Sequence, residues 1–211
     1  VFSHRRTGDV SLHVVRTEHP DELTIDASLD LPLFDWGSMG ASRFDGGRAF
    51  LTTSVWQRDA PVRELYSFDL SEAVEPRLAD RLRINLDVSH LEVHGDRLLA
   101  MGRNYGRNIG NQAAVGIYDV SDVSATAELS WKRLGEGYSN SAANGDYKAF
   151  KSFPDLGLLL IPLNYWDNGV SFAGVQIVDW RDDELTERGR VENQGGVRRA
   201  FPVGDRLVAV G

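Results

Sequence analysis

Gly95-Asp96-Arg97-Leu98-Leu99-Ala100-Met101-Gly102 and Gly204-Asp205-Arg206-Leu207-Val208-Ala209-Val210-Gly211 are near copies of one another. Gly46-Gly47-Arg48-Ala49-Phe50-Leu51-Thr52-Thr53 is a weaker copy, and Asp155-Leu156-Gly157-Leu158-Leu159-Leu160-Ile161-Pro162 is a fourth version. Each reads as a tight turn feeding a short buried strand, because glycine-containing turns ahead of apolar runs are hairpin signals. A second landmark follows three of the copies, an apolar strand ending in Asp: Leu65-Tyr66-Ser67-Phe68-Asp69-Leu70-Ser71, Val115-Gly116-Ile117-Tyr118-Asp119-Val120-Ser121 and Val175-Gln176-Ile177-Val178-Asp179-Trp180-Arg181. The aspartates lie 50 and 60 residues apart, a period that fits one four-stranded propeller blade with loops of variable length.

The grammar has a physical cause. Inner strands of a blade are buried on both faces and read as continuous apolar runs, whereas the outermost strand alternates because one side meets water. Asp followed by Ser, as at Asp69 and Asp119, can bond its own backbone and fix the turn into that outer strand. Helical stripes are interrupted throughout by 21 glycines and many β-branched and aromatic residues. The best helical rival, Leu70 to Arg83, contains Pro76 and is read as turn plus strand. The expected fold is therefore all-β, a β-propeller of four-stranded antiparallel blades at about 34–88, 89–137 and 138–194. A partial blade at 1–33 supplies two strands, Ser11 to Arg16 and Leu23 to Leu31, and the tail at 195–211 supplies another two. Head and tail are complementary on this reading, so a ring closed by pairing the ends is one arrangement. The favoured expectation is a portion of a larger propeller, since raw sheet edges need covering.

Composition narrows the function classes. Twenty-three Lys and Arg against 31 Asp and Glu give a net charge of −8, which repels polyphosphate, so no nucleic-acid partner is expected. With no cysteine, disulfides, thiolate catalysis and cysteine-ligated zinc are excluded. The longest apolar run, Leu156 to Leu163, contains Gly157 and Pro162, and membrane insertion is not expected. The chain opens at Val1 without an export signal, which is read as lying outside this sequence.

Asn144-Gly145-Asp146-Tyr147-Lys148-Ala149-Phe150-Lys151-Ser152-Phe153-Pro154, followed by Gly157-Leu158-Leu159-Leu160-Ile161-Pro162, resembles the Asp-His-Lys-Ala-Phe segment and apolar strand of bacterial secreted proteins with a carboxy-terminal β-propeller domain distantly related to WD40 repeats. Tyr147 stands where that family has His, so no imidazole role carries over. Leu65 to Ser71 with Pro76, and Gly116 to Asp122, add to the likeness, which covers most of positions 40 to 211. The resemblance implies a secreted or cell-surface location and a longer domain. It implies no reaction.

Aligning backward from the turn copies brings Arg43, His90, Lys148 and Arg198 or Arg199 to comparable positions, a basic collar at the mouth of a central channel that would favour an anionic partner. Solvated loop cations are the simpler account. Trp56 and Trp166 fall where the loop between second and third strands begins, and with Tyr105 they are candidate contact residues; Trp131 and Trp180 read as packing. Asp146 and Asp167 sit in Asn- and Gly-rich turns that offer oxygen ligands, making calcium the metal to test, although turn formation explains them. His90 and His94 are expected to splay on a strand and turn, and Gly102 to Asn111 is read as a long hairpin loop in preference to a phosphate cradle.

No catalytic constellation is present in the sequence, and no cofactor is expected apart from the calcium possibility. The leading expectation is a non-catalytic module binding a protein or surface polymer. Its rivals are a calcium-dependent propeller hydrolase or lactonase, disfavoured because inner-strand positions read as apolar or basic, and a structural subunit of an assembly.

Overall fold

Glycine earns its place in the repeated turns by conformation. Gly46, Gly95, Gly157 and Gly204 have φ of 55°, 58°, 61° and 62°, the left-handed region in which an L side chain is strained. The computed structural model describes residues 1–4, 10–19, 21–31, 37–57, 60–106, 109–193, 195–204 and 206–211. Asp205 of the last repeat copy, and Arg107 and Asn108 of the glycine-rich stretch, lie outside the described residues.

Eighteen strands are described: β1 Phe2–His4, β2 Val10–Arg16, β3 Thr24–Leu31, β4 Gly37–Asp45, β5 Arg48–Gln57, β6 Ala60–Asp69, β7 Arg77–Arg83, β8 Asp87–His94, β9 Arg97–Gly106, β10 Ile109–Asp119, β11 Ala127–Arg133, β12 Tyr138–Asn140, β13 Lys151–Phe153, β14 Leu158–Asp167, β15 Val170–Asp179, β16 Thr186–Glu192, β17 Arg199–Val203 and β18 Arg206–Val210. They form separate antiparallel sheets in the orders β1-β2-β3, β4-β5-β6-β7, β8-β9-β10-β11, β12-β14-β15-β16 with β13 also on β14, and β17-β18. Helical structure among the described residues is limited to short 3-10 turns. This is the all-β architecture of propeller blades. The head contributes three strands where two were expected, because Phe2–His4 pairs with Leu12 to Val10. Among the described residues the head therefore holds three strands and the tail two.

One set of bonds recurs in every complete blade. Asp69, Asp119 and Asp179 each accept from the backbone N–H two residues on, in Ser71, Ser121 and Arg181, at 2.9, 2.9 and 3.0 Å. The intervening residue donates back to the hairpin, Leu70 to Gly47, Val120 to Asp96 and Trp180 to Gly157. A one-residue register shift then falls at the same place in each outer pair, after Ser67, Ile117 and Ile177, which increases twist where the outermost strand leaves the core. Burial follows the expected grammar. β5 and β9 are buried along most of their length, while β7, β11 and β16 alternate or lie exposed.

The chain divides into two compact units, Val1–Ile84 with Asp122–Thr126, and Asn85–Ser121 with Ala127–Gly211. The core of the first joins Val10, Leu12 and Leu31 to Ala49, Leu51, Tyr66 and Phe68. In the second, Leu99, Met101, Val115 and Ile117 pack against Phe150, Leu159, Ile161, Leu163 and Val178. The opposite face of β14 and β15 packs Leu160 and Val175 against Val197 and Ala200.

Asp179 carries a pH-dependent part of this framework. Arg181, which forks onto its carboxylate, and Arg188 at 3.5 Å hold its pKa down from 3.8 to about 2. Because the folded carboxyl is the stronger acid, its contribution is complete above about pH 4 and is lost as pH falls toward about 2. The urea midpoint of the wild type is expected to fall more steeply across that window than that of Asp179→Asn. Parallel curves would show that the ion pair contributes nothing.

Candidate functional site

The innermost strand of each complete blade is irregular. In β4 the register slips between Met39 and Ser42, and in β8 between Val88 and His90. In the third complete blade the same strand is broken in two: β12 and β13 both pair with β14, separated by residues 141–150. This segment reads Ser-Ala-Ala-Asn-Gly-Asp-Tyr-Lys-Ala-Phe, and its turn chemistry explains the break. Ser141 caps one 3-10 turn by accepting from the Ala143 N–H, and Asp146 caps the next by accepting from that of Lys148 at 2.9 Å. Ala143, Ala149 and Phe150 turn into the core, leaving Tyr147 and Lys148 exposed.

Three of the proposed basic residues meet at this insertion. The His90 ring lies 6.1 Å from Tyr147 and edge-on to Phe150 at 5.5 Å. The Lys148 ammonium sits 5.7 Å over the Tyr147 ring, and the Arg199 guanidinium is 3.6 Å from the Asp146 carboxylate. His90 and Arg199 share a rung, since their partners Met101 and Val210 each stand four residues past the residue that closes the hairpin, Arg97 or Arg206. Arg198 precedes Arg199, its N–H donating to the Val210 carbonyl. Arg43, in the first unit, is opposite Phe50, the rung that Glu92 occupies opposite Leu99. Arg43 and His90 are thus not equivalent. Asp87 and Glu92 also correct the expectation that inner strands are only apolar or basic.

The candidate contact aromatics obey a stricter rule. Arg48, Arg97 and Leu158 pair with the landmark aspartates Asp69, Asp119 and Asp179. Eight residues along the second strand from each stands an aromatic, Trp56, Tyr105 and Trp166. Trp56 is 56% and Trp166 60% exposed, while Tyr105 is half-buried and donates its hydroxyl to the Asp87 carboxylate at 3.0 Å. The position sits beyond the buried stretch of the strand, so packing does not demand a ring there.

Other sequence candidates have structural employment. His94 reaches the Ser152 hydroxyl at 2.7 Å and packs on Trp180 at 5.8 Å, so it and His90 serve different neighbours. Gly102 to Asn111 is not a long loop, because β9 runs to Gly106 and β10 resumes at Ile109. Asp167 accepts from the Asn168 amide at 3.2 Å within its turn. Among the described residues no group of three His, Cys, Asp or Glu is placed to hold a metal ion. No helix among them is long and apolar enough to cross a membrane. Trp131 is half-buried under the Arg133 guanidinium at 5.7 Å.

Two further residues of the site carry little signal in the sequence. Tyr147 reads there only as a replaced histidine, yet it is the ring that touches both His90 and Lys148. Tyr138 lies directly opposite Trp166 and is 53% exposed. Its only signal was its place at the start of an inner strand, and the inserted segment hid that strand's register. The family model described as Beta propeller domain matches residues 37–210. No curated protein matches the chain.

Proposed function

The chain belongs to the beta propeller domain family, and from that premise we propose that it is a non-catalytic recognition module of an exported bacterial protein, binding another protein or a surface polymer. The recurrence of Trp56, Tyr105 and Trp166 at one rung of successive blades carries the proposal. Blade frames place loop-proximal side chains rigidly, so a ring held there loses little entropy on meeting a partner. Large amphipathic rings are also the commonest binding hot spots. The net charge of −8 favours a partner that is not polyanionic.

A photo-crosslinking phenylalanine analogue at position 56 or 166 tests this on the surface fraction of the producing cells. Adducts are expected from these positions and not from Leu78, which is exposed on the outermost strand β7. Alanine at Trp56 or Trp166 should lower capture about tenfold. Equal labelling from Leu78, or capture indifferent to alanine, would remove the assignment. A tightly held stoichiometric cation found by elemental analysis would replace it with a metal-dependent hydrolase.

A further inference from the structure

We infer that the third complete blade carries a platform for a neutral polysaccharide, formed by Tyr138, Trp166 and Ser171 with Asn140 and Asn164 beside them; the inference rests on the recognition function proposed above. Tyr138 is the direct partner of Trp166, and Trp166 of Ser171, so one rung crosses β12, β14 and β15. Two residues along the same strands, Asn140 pairs with Asn164 and Asn164 with Ala173. Direct partners and residues two apart share a sheet face, so all six side chains stand together.

The intervening rung, on the opposite face, shows what a structural aromatic pair looks like here. Tyr165 stacks on Phe172 at 5.4 Å and 21°, and the Arg190 guanidinium covers both rings at 5.1 and 5.8 Å and donates to the Tyr165 hydroxyl at 2.9 Å. Those rings are half-buried and capped. Tyr138 and Trp166 remain more than half exposed, so their rings do little for the core.

Size and chemistry select the occupant. Three strands about 4.8 Å apart and two rungs about 7 Å apart give a patch of about 10 by 7 Å, room for two pyranose rings. The C–H faces of a sugar fit aromatic faces, and its hydroxyls need groups that both donate and accept. Ser171, Asn140 and Asn164 are of that kind, with Asn140 already accepting from Arg103 at 3.3 Å. None of the six positions is charged, which matches a neutral polymer. A protein hot spot would be ringed by groups that exclude water, whereas these rings are flanked by the exposed Asn164 amide and Ser171 hydroxyl, with Asn140 half-buried beside them.

Affinity electrophoresis of the 211-residue chain through gels containing hydroxyethylcellulose, laminarin or dextran tests the platform, with polygalacturonate as the charged comparison. Retardation by at least one neutral glucan is expected. Tyr138→Ala and Trp166→Ala should each weaken it about tenfold, whereas Tyr138→Phe, which keeps the ring face, should bind as wild type. Unchanged mobility in all three neutral gels overturns the inference, as does retardation by polygalacturonate alone or wild-type binding by Tyr138→Ala. If the glucans fail while crosslinks at positions 56 and 166 still capture a protein, the platform falls and the recognition function stands. If both fail, both fall.

Discussion

Gly102→Val is expected to cost about 3 kcal/mol, lowering the main thermal transition by about 6–12 °C. Gly102 lies on β9 between Val88 of β8 and Ala114 of β10. A Cβ built there comes within 2.9 Å of the Asp87 carbonyl carbon and the Val88 Cα, and closer still to the Asp87 carbonyl oxygen. These are backbone atoms, so the neighbour cannot swing aside. Gly102 is absent from the glycines with positive φ, and the requirement is therefore space, not conformation. The close crossing has a visible cause: β8 bulges at Ser89, whose hydroxyl donates to the Met101 carbonyl at 3.1 Å and holds the two strands together. Pushing Asp87 away would also loosen the hydrogen bond that holds the Tyr105 ring. Gly102→Ala should fall between wild type and Val in a melting series. A Val variant that melts with the wild type would mean that β8 and β9 do not cross so closely.

The same glycine shows how far sequence reasoning reaches. Gly102 ends the repeat copy Gly95 to Gly102 and opens a stretch that superficially resembles a phosphate cradle, and only the register reveals its steric role. Features written in local chemistry are legible: the glycine turns, the landmark aspartates with their i+2 hydrogen bonds, and the outer strands, expected to begin at Leu78, Ala125 and Glu184 and found at Arg77–Arg83, Ala127–Arg133 and Thr186–Glu192. What depends on pairing is not. β1 is only Phe2–His4, too short to show alternation, and its partner is known only from the register. Counting back to the basic collar starts from turns of unequal length, Gly46-Gly47 against Pro154 to Gly157, and crosses strands that bulge or break, which brings Arg43 level with His90 where the register does not. The aromatic rung escaped this difficulty because Trp56, Tyr105 and Trp166 lie on second strands that run unbroken from the landmark pair. Counting forward from a fixed rung is safe where counting back through a bulge is not.

Phe150→Ala is expected to destabilise the second unit by about 3–5 kcal/mol, a fall of about 6–20 °C in its transition. Phe150 is 2% exposed in the cluster with Leu99, Met101, Leu159 and Ile161, and its N–H donates to the Tyr147 carbonyl at 3.3 Å. It is the large apolar anchor of the segment 141–150, whose other buried apolar residues are the small Ala143 and Ala149. Removing the ring leaves a cavity that strands locked in β9 and β14 cannot collapse to fill. His90 packs edge-on to the same ring at 5.5 Å, so its environment should change with the core, visible as a shift of its imidazole resonances. Phe150→Leu, which keeps most of the volume, should recover more than half of the loss. The two outcomes separate anchoring from mere hydrophobicity: if alanine melts within about 2 °C of wild type, the insertion is held by its capped turns, Ser141 and Asp146, and not by the ring beneath it.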